Sequence, residues 1–314
     1  MKKTNPKTEF TARRGLTRRA SLAAFLPALA GFAVVGGLRL SARAAEAEPL
    51  HKDPVGALAA LEGREGGRLG VAVRDTGTGQ SYGHRADELF ALCSTFKFVL
   101  AAAILQRMDA GDISLDRAIP VAKSDIVPNS DTTAKHVGQT MTIGELCHAT
   151  ITTSDNAAAN LLLKECGGPE FVTVFLRGLG DSVTRLDRFE PHMNNADVAK
   201  GDTRDTTSPA AMAATMQAIL LGNALTPASR EILTGWIKAT TTGPDRIRKG
   251  LPGDWIIGHK TGTGEDGPTN DIAIIWPPGR APLIVTVYYD RKGRTMKENA
   301  TILAEVGRIA ATYA

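Results

Sequence analysis

Alternating hydrophobic runs stand near both ends of the chain, and longer runs of helical texture lie between them. A short helical stretch is predicted around Pro54 to Leu61, followed by an alternating strand, Leu69 to Asp75. The strand runs into Thr76-Gly77-Thr78-Gly79, a turn composition leading to Gln80–His84, so the pair reads as a hairpin. The run from Ser94 to Met108 is long, unbroken and rich in alanine, which fits a buried helix closed by Gly111. Further helices are predicted over Ile143–Ile151, Asn156–Glu165, Pro169–Leu179 and Pro209–Leu221. Strand texture returns at Trp255–Thr261, Asp271–Trp276 and Pro282–Tyr289, and a last helix spans Thr295–Ala311. Strands from both ends with helices between them imply an α/β fold. One domain would take residues 46–92 with 237–314, an all-helical domain 93–236 would be inserted in it, and the binding site would lie between the two.

Composition changes this picture mainly at the N-terminus. The 314 residues carry a formal charge of +4, yet nine of the 37 Lys and Arg fall within residues 1–45 against one acidic residue. Without that segment the chain holds 28 basic and 32 acidic residues, a net of −4, and has no basic clusters interleaved with aromatics, which excludes a nucleic-acid partner. The segment itself has a basic start, an uncharged stretch from Ala20 to Leu38, and small residues around Ala42-Arg43-Ala44, the layout of a cleaved export signal. Thr17-Arg18-Arg19-Ala20-Ser21-Leu22 resembles a twin-arginine motif, so a periplasmic destination without stable membrane association is expected. An uncleaved anchor is the competing reading, which Pro27 and three glycines in the stretch disfavour. Three cysteines, Cys93, Cys147 and Cys166, are too few for a disulfide scaffold, and six scattered histidines offer no metal-ligand spacing. No metal or cofactor is expected.

Candidate chemistry begins with Ser94-Thr95-Phe96-Lys97, a Ser-x-x-Lys at the start of the predicted buried helix. Residues i and i+3 share a helix face, so hydroxyl and ammonium can meet, and the N-terminal N–H groups there favour a developing oxyanion. Alone the tetrapeptide is commonplace, because a serine at a helix start is more often a simple cap. Three further motifs follow in order: Ser154-Asp155-Asn156, Glu190-Pro191-His192-Met193-Asn194, and Lys260-Thr261-Gly262. Ser-x-x-Lys with Ser-Asp-Asn and Lys-Thr-Gly is the signature of class A β-lactamases and penicillin-binding proteins. From about residue 50 to the C-terminus the sequence therefore resembles the class A serine β-lactamases.

That resemblance implies a β-lactamase-like fold, an antiparallel five-stranded sheet flanked by helices, and hydrolysis of β-lactam antibiotics through a serine acyl-enzyme by a monomeric protein. Ser94 would be the nucleophile and Lys97 or Glu190 its base; Ser154, held by Lys260, would pass a proton to the lactam nitrogen. The N–H groups of Ser94 and Thr263 would bind the oxyanion, with Gly262 allowing close approach. Asn156 would meet the substrate's side-chain amide, Glu190 and Asn194 would hold the deacylating water, and Asn160 would brace their loop. Arg188 and Asp205 would close that loop, residues 188–205, as an ion pair. Between Glu190 and Asp205 the loop is two residues longer than the common pattern, and Asn129 stands where a Tyr or Trp usually lines the cleft.

The substrate carboxylate needs a cation beside Lys260, Thr261 and Thr263. On the strand after Lys-Thr-Gly the corresponding position is Thr269, so the resemblance points instead to Arg246, with Arg248 as competitor on the opposite face of a predicted helix. A solvated surface arginine is the bland alternative. His136 and His259 are read as structural, and Cys93 and Cys147 as small core residues. The disulfide that some carbapenem-hydrolysing relatives form from the cysteine before the nucleophile has no partner here, because that position is Gly264. Two other functions compete with β-lactam hydrolysis: a D-alanyl-D-alanine peptidase, which lacks the Glu190 loop, and a non-catalytic β-lactam or muropeptide binding module.

Overall fold

The computed structural model describes residues 53–195 and 198–314; the proposed export segment lies outside them. The chain opens with α1 (Pro54–Glu65), the hairpin β1 (Arg68–Asp75) and β2 (Ser81–His84), and a two-residue strand β3 (Phe90–Ala91). A 3-10 turn, Cys93–Thr95, then leads into α2 (Phe96–Asp109). The middle of the chain holds β4 (Ala118–Pro120), β5 (Thr140–Thr142), α3 (Ile143–Thr152), α4 (Asn156–Glu165), α5 (Glu170–Gly178), β6 (Thr206–Thr207), α6 (Pro209–Leu220) and α7 (Pro227–Lys238). It closes with α8 (Ile247–Gly250), β7 (Ile256–Thr263), β8 (Thr269–Trp276), β9 (Leu283–Asp290) and α9 (Met296–Thr312).

Among the described residues the main sheet has five antiparallel strands in the order β2-β1-β9-β8-β7. This is the expected fold class. Both faces of the central strands are covered, which explains why they read as continuous apolar runs. Along β8, Ile272 and Ile274 join the core shared with α2 to α7, while Ala273 and Ile275 join the core under α1 and α9. Successive side chains of a strand point to opposite faces, so one strand serves both layers.

Capping sets the helix starts. Asp155 accepts the N–H of Ala158 to open α4, and Thr142 with Glu145, like Thr295 with Glu298, forms a reciprocal capping box. The helix predicted from Ser94 begins instead as the 3-10 turn, and α-helical bonding starts at Phe96. Helix α7 is not among the predicted elements, although Thr226 caps it and Pro227 starts it. Another difference concerns Arg246, which precedes α8 as its N-cap rather than sitting inside a helix with Arg248. No helix among the described residues is long and apolar enough to cross a membrane.

Candidate active site

A cleft of about 740 Å3 is lined by Ser94, Asn129, Ser154, Asn156, Asn194, Arg246 and the strand end from Thr261 to Gly264. Motifs separated by more than a hundred residues converge there. Ser94 stands in the turn that feeds α2, and its Oγ lies 3.0 Å from Lys97 Nζ, the i, i+3 contact expected of Ser-x-x-Lys. Glu190 Oε1 lies 3.2 Å from the same hydroxyl.

Lys97 is fully buried, and oxygen acceptors surround it. Its ammonium meets Glu190 Oε1 at 3.1 Å, the Ser154 carbonyl at 2.8 Å, Ser154 Oγ at 3.4 Å and Asn156 Oδ1 at 2.5 Å. Burial pulls its pKa below the ordinary lysine value, against the opposing pull of Glu190. Lys260, reaching across from β7, donates to Ser154 Oγ at 2.9 Å and to the Thr261 carbonyl at 2.8 Å. Burial and the like charges of Lys97 and Arg246 push its pKa well below the usual range. Ser154 itself has φ +59°, a left-handed conformation that aims its hydroxyl between the two lysines.

The loop bearing Glu190 is tied down at both ends and in the middle. Arg188 Nε meets the buried Asp205 carboxylate at 2.5 Å, and that carboxylate also accepts the N–H groups of Asp187 and Arg188. Asn160, on α4, takes the Glu190 N–H at 3.0 Å and donates to the Glu190 carbonyl at 2.9 Å, so one side-chain amide holds both backbone polar groups of Glu190. The Glu190–Pro191 peptide is cis. Asn194 Nδ2 sits 2.5 Å from Glu190 Oε2 in spite of the longer loop, and Asn194 Oδ1 is buried without a hydrogen-bond partner among the described residues.

At the opposite wall β7 is the edge strand. Gly264 N–H bonds back to the Pro268 carbonyl, and alternation along an antiparallel ladder then turns the Thr263 N–H away from β8, toward the cleft. Gly262 is pressed against the nucleophile's turn: a Cβ there would stand 3.1 Å from Cys93 Cβ and from the Leu92 carbonyl, closer than most packed neighbours stand. Arg246 is buried beside this strand. Its Nη1 donates to the carbonyls of Gly262 at 2.8 Å and Asn270 at 2.6 Å, and its Nη2 donates to Thr263 Oγ1 at 2.7 Å. Arg248 is exposed and does not line the cleft. Arg246 Nη1 is thus committed to two main-chain carbonyls, so the guanidinium is fixed in place before any ligand arrives.

Of the two histidines read as structural, His259 Nδ1 pairs with buried Asp271 at 3.0 Å, and His136 Nδ1 lies 3.1 Å from the Thr132 carbonyl. Asn156 is engaged at both ends, by Lys97 and by the Pro128 carbonyl at 2.9 Å, leaving one Nδ2 hydrogen toward the cleft. The three cysteines are free thiols. Met296, at the start of α9, reaches the cleft beside Thr263, and nothing in its local sequence marks it out. Among the described residues no cluster of His, Cys, Asp or Glu could hold a metal ion.

An edge strand carrying Lys-Thr-Gly, set against the turn and buried helix that carry Ser-x-x-Lys, defines the serine enzymes that share these motifs. Within that class the comparisons are specific. A family model described as "Beta-lactamase enzyme family" matches residues 54–314. β-Lactamase L2 of Stenotrophomonas maltophilia is 48% identical over 253 residues, covering 80% of this chain and 83% of the relative. The β-lactamase of Streptomyces albus G is 45% identical over 261 residues, covering 81% of this chain and 82% of the relative. Among solved structures, an ancestral class A β-lactamase superposes with a TM-score of 0.80 at 57% identity, covering 82% of this chain and 98% of its own. A β-lactamase from Xanthomonas campestris also gives 0.80, at 48% identity, over 82% of this chain and 96% of its own. The chain belongs to the class A β-lactamase family.

Proposed function

We propose that the protein hydrolyses β-lactam antibiotics, and so confers resistance to them, with Ser94 as nucleophile. The observation that carries this reading is the convergence on one hydroxyl of Lys97 at 3.0 Å and Glu190 at 3.2 Å, with Asn194 on the far oxygen of Glu190. Ser94 Oγ attacks the lactam carbonyl as its proton leaves. Glu190 is the acceptor we favour, because Lys97 is ringed by oxygen acceptors and is thereby held as an ammonium. The N–H groups of Ser94 and Thr263 take the oxyanion. When the C–N bond breaks, Ser154, polarised by Lys260, gives its proton to the departing ring nitrogen and recovers one from Lys97, which Glu190 reprotonates across their 3.1 Å contact, so that Glu190 is again a carboxylate. Water held by Glu190 and Asn194 then attacks the ester carbonyl, Glu190 takes the water's proton, and Ser94 Oγ leaves reprotonated. The reaction needs no cofactor.

Arg246, Lys260, Thr261 and Thr263 would hold the substrate's carboxylate, and the remaining Nδ2 hydrogen of Asn156 its side-chain amide. The Glu190–Asn194 pair favours this reading over a D-alanyl-D-alanine peptidase, which needs no such water site, and the complete catalytic set disfavours a mere binding module. Residues 1–45 are read as a twin-arginine-type signal that delivers a monomer to the periplasm; support comes from their sequence and from relatives of a typically exported family. The division into 46–92 with 237–314 and an inserted 93–236 stays part of this reading. Turnover of a chromogenic cephalosporin by the purified protein, lost in Ser94→Ala with the fold intact, tests it. Retained turnover in the variant overturns the assignment of Ser94.

A further inference from the structure

The two N–H groups that would receive the oxyanion stand on different segments: Ser94 on the turn before α2, Thr263 at the end of β7. Their spacing has to hold to a fraction of an ångström for the pair to work, and a side chain outside the motifs bridges the two segments. Asn270 lies on β8 directly opposite Gly262 and is 1% exposed. Its Nδ2 donates to the Ala91 carbonyl at 2.9 Å and to the Leu92 carbonyl at 3.2 Å, the two residues that lead into the turn. Its own carbonyl accepts Arg246 Nη1 at 2.6 Å.

The turn needs such a hold. Cys93, immediately before the nucleophile, has φ +44°, a left-handed conformation that side chains other than glycine's disfavour. Such a conformation persists only where the surroundings over-determine it. On its far side the turn is held by Thr95 Oγ1, which donates to the Leu92 carbonyl at 2.7 Å and lies 3.3 Å from Tyr288 Oη. On its near side the Leu92 N–H reaches the Asp205 carbonyl at 2.8 Å, in the loop region of Glu190. Asn270 is the element that ties this assembly to β7. Packing of Gly262 against Cys93 sets how close the strand and the turn approach, and the Asn270 amide sets where along the strand the turn sits.

We propose that Asn270 is a positioning residue of the reaction: by bridging the carbonyls of Ala91 and Leu92 to the strand pair β7–β8, it fixes the Ser94 N–H relative to the Thr263 N–H. This rests on the β-lactamase reading above. An apolar residue at the position could not donate to these two carbonyls and so could not hold the register of the turn.

The experiment compares the unmutated protein with Asn270→Ala and Asn270→Ser, the second keeping one donor. Acylation by a penicillin is followed by stopped flow, affinity for a boronic acid that forms a tetrahedral adduct on the serine is measured in parallel, and Tm is recorded for each protein. Asn270→Ala is expected to slow acylation by about ten- to a hundredfold with pre-acylation affinity changed less than about twofold, and to weaken the boronic acid by a similar factor. Asn270→Ser should fall between. A merely structural asparagine would lower Tm and leave both acylation and boronic acid affinity of the folded protein unchanged, and that result overturns the proposal. If Asn270→Ala does not fold, Asn270→Ser decides by the same measurements. Absence of turnover in the unmutated protein would instead strike at the β-lactamase reading.

Discussion

Replacing Arg246 by alanine isolates one charge in the cleft. The guanidinium is 4% exposed, so water screens it poorly, and burial already pulls its pKa below the usual arginine value. It faces the cleft through Nη2, beside Thr263 Oγ1 at 2.7 Å, where a substrate carboxylate would rest against Lys260 and the threonines. A charge-assisted hydrogen bond lost from such a site costs about 1.5–3 kcal/mol, which is about ten- to a hundredfold in kcat/KM. Stability should change less. The carbonyls of Gly262 and Asn270 each lose a bond worth about 1 kcal/mol, but removing a desolvated cation offsets part of that. The assay is steady-state hydrolysis of a penicillin and of its carboxylate methyl ester by Arg246→Ala, with Arg248→Ala as control because Arg248 is exposed. The expected result is a loss confined to the free acid and to Arg246→Ala. An equal loss on acid and ester would mean that Arg246 shapes β7 and does not bind the carboxylate. Negligible loss in both variants would leave that anion to Lys260 and the threonines.

Three other outcomes follow from the same structure. Glu190→Ala should slow deacylation more than acylation: without the Glu190 charge, which raises the Lys97 pKa, burial favours a neutral Lys97 amine 3.0 Å from Ser94 that can accept its proton, whereas the attacking water loses its carboxylate; a penicilloyl adduct should build up in the mass spectrum, and its absence counts against Glu190 as deacylation base. The native thiols should react slowly with an aromatic disulfide reagent at pH 8: burial pushes Cys93 and Cys147 far up, and Cys166 up to about 11, where about one molecule in a thousand is thiolate, so rapid labelling of Cys93 in folded protein contradicts its packing. For Glu62, burial raises the carboxyl pKa, but hydrogen bonds from Arg85 and His84 outweigh it and hold the carboxyl below the usual range. A depressed acid stabilises the fold above its unfolded pKa and loses that contribution as pH falls through the folded value, so Glu62→Gln should flatten the drop in Tm below about pH 4.5, and an unchanged acid limb refutes this.

The sequence determined the elements wherever one period dominated. Helix α4 was predicted at its observed bounds, and the final strands and helix within two residues, because apolar spacing and side-chain caps act locally. Local signals were weaker elsewhere. The strands β3 and β6 have two residues each, too few to show alternation, and their pairing of Phe90 with Thr207 depends on a partner more than a hundred residues away. The turn that replaces the first turn of the predicted Ser94 helix also has a tertiary cause: Asn270, Tyr288 and Gly262 reach it from distant strands.

The motifs named most of the site because each is a short run whose chemistry depends on residue type and order. Chain order could not say which donor faces which acceptor. Arg246 was legible as a candidate, but its commitment to the carbonyls of Gly262 and Asn270 appears only when β7 and β8 pair and the segment before α8 folds against them. Asn270 carried a faint signal, a polar residue leading into an apolar strand, and its role lies in contacts with Ala91 and Leu92 about 180 positions earlier in the chain. Met296 carried none. Type, period and capping are local properties that a sequence spells out, whereas burial and the pairing of polar atoms across it depend on which distant segments the closed sheet brings together, and that decided the geometry of the cleft.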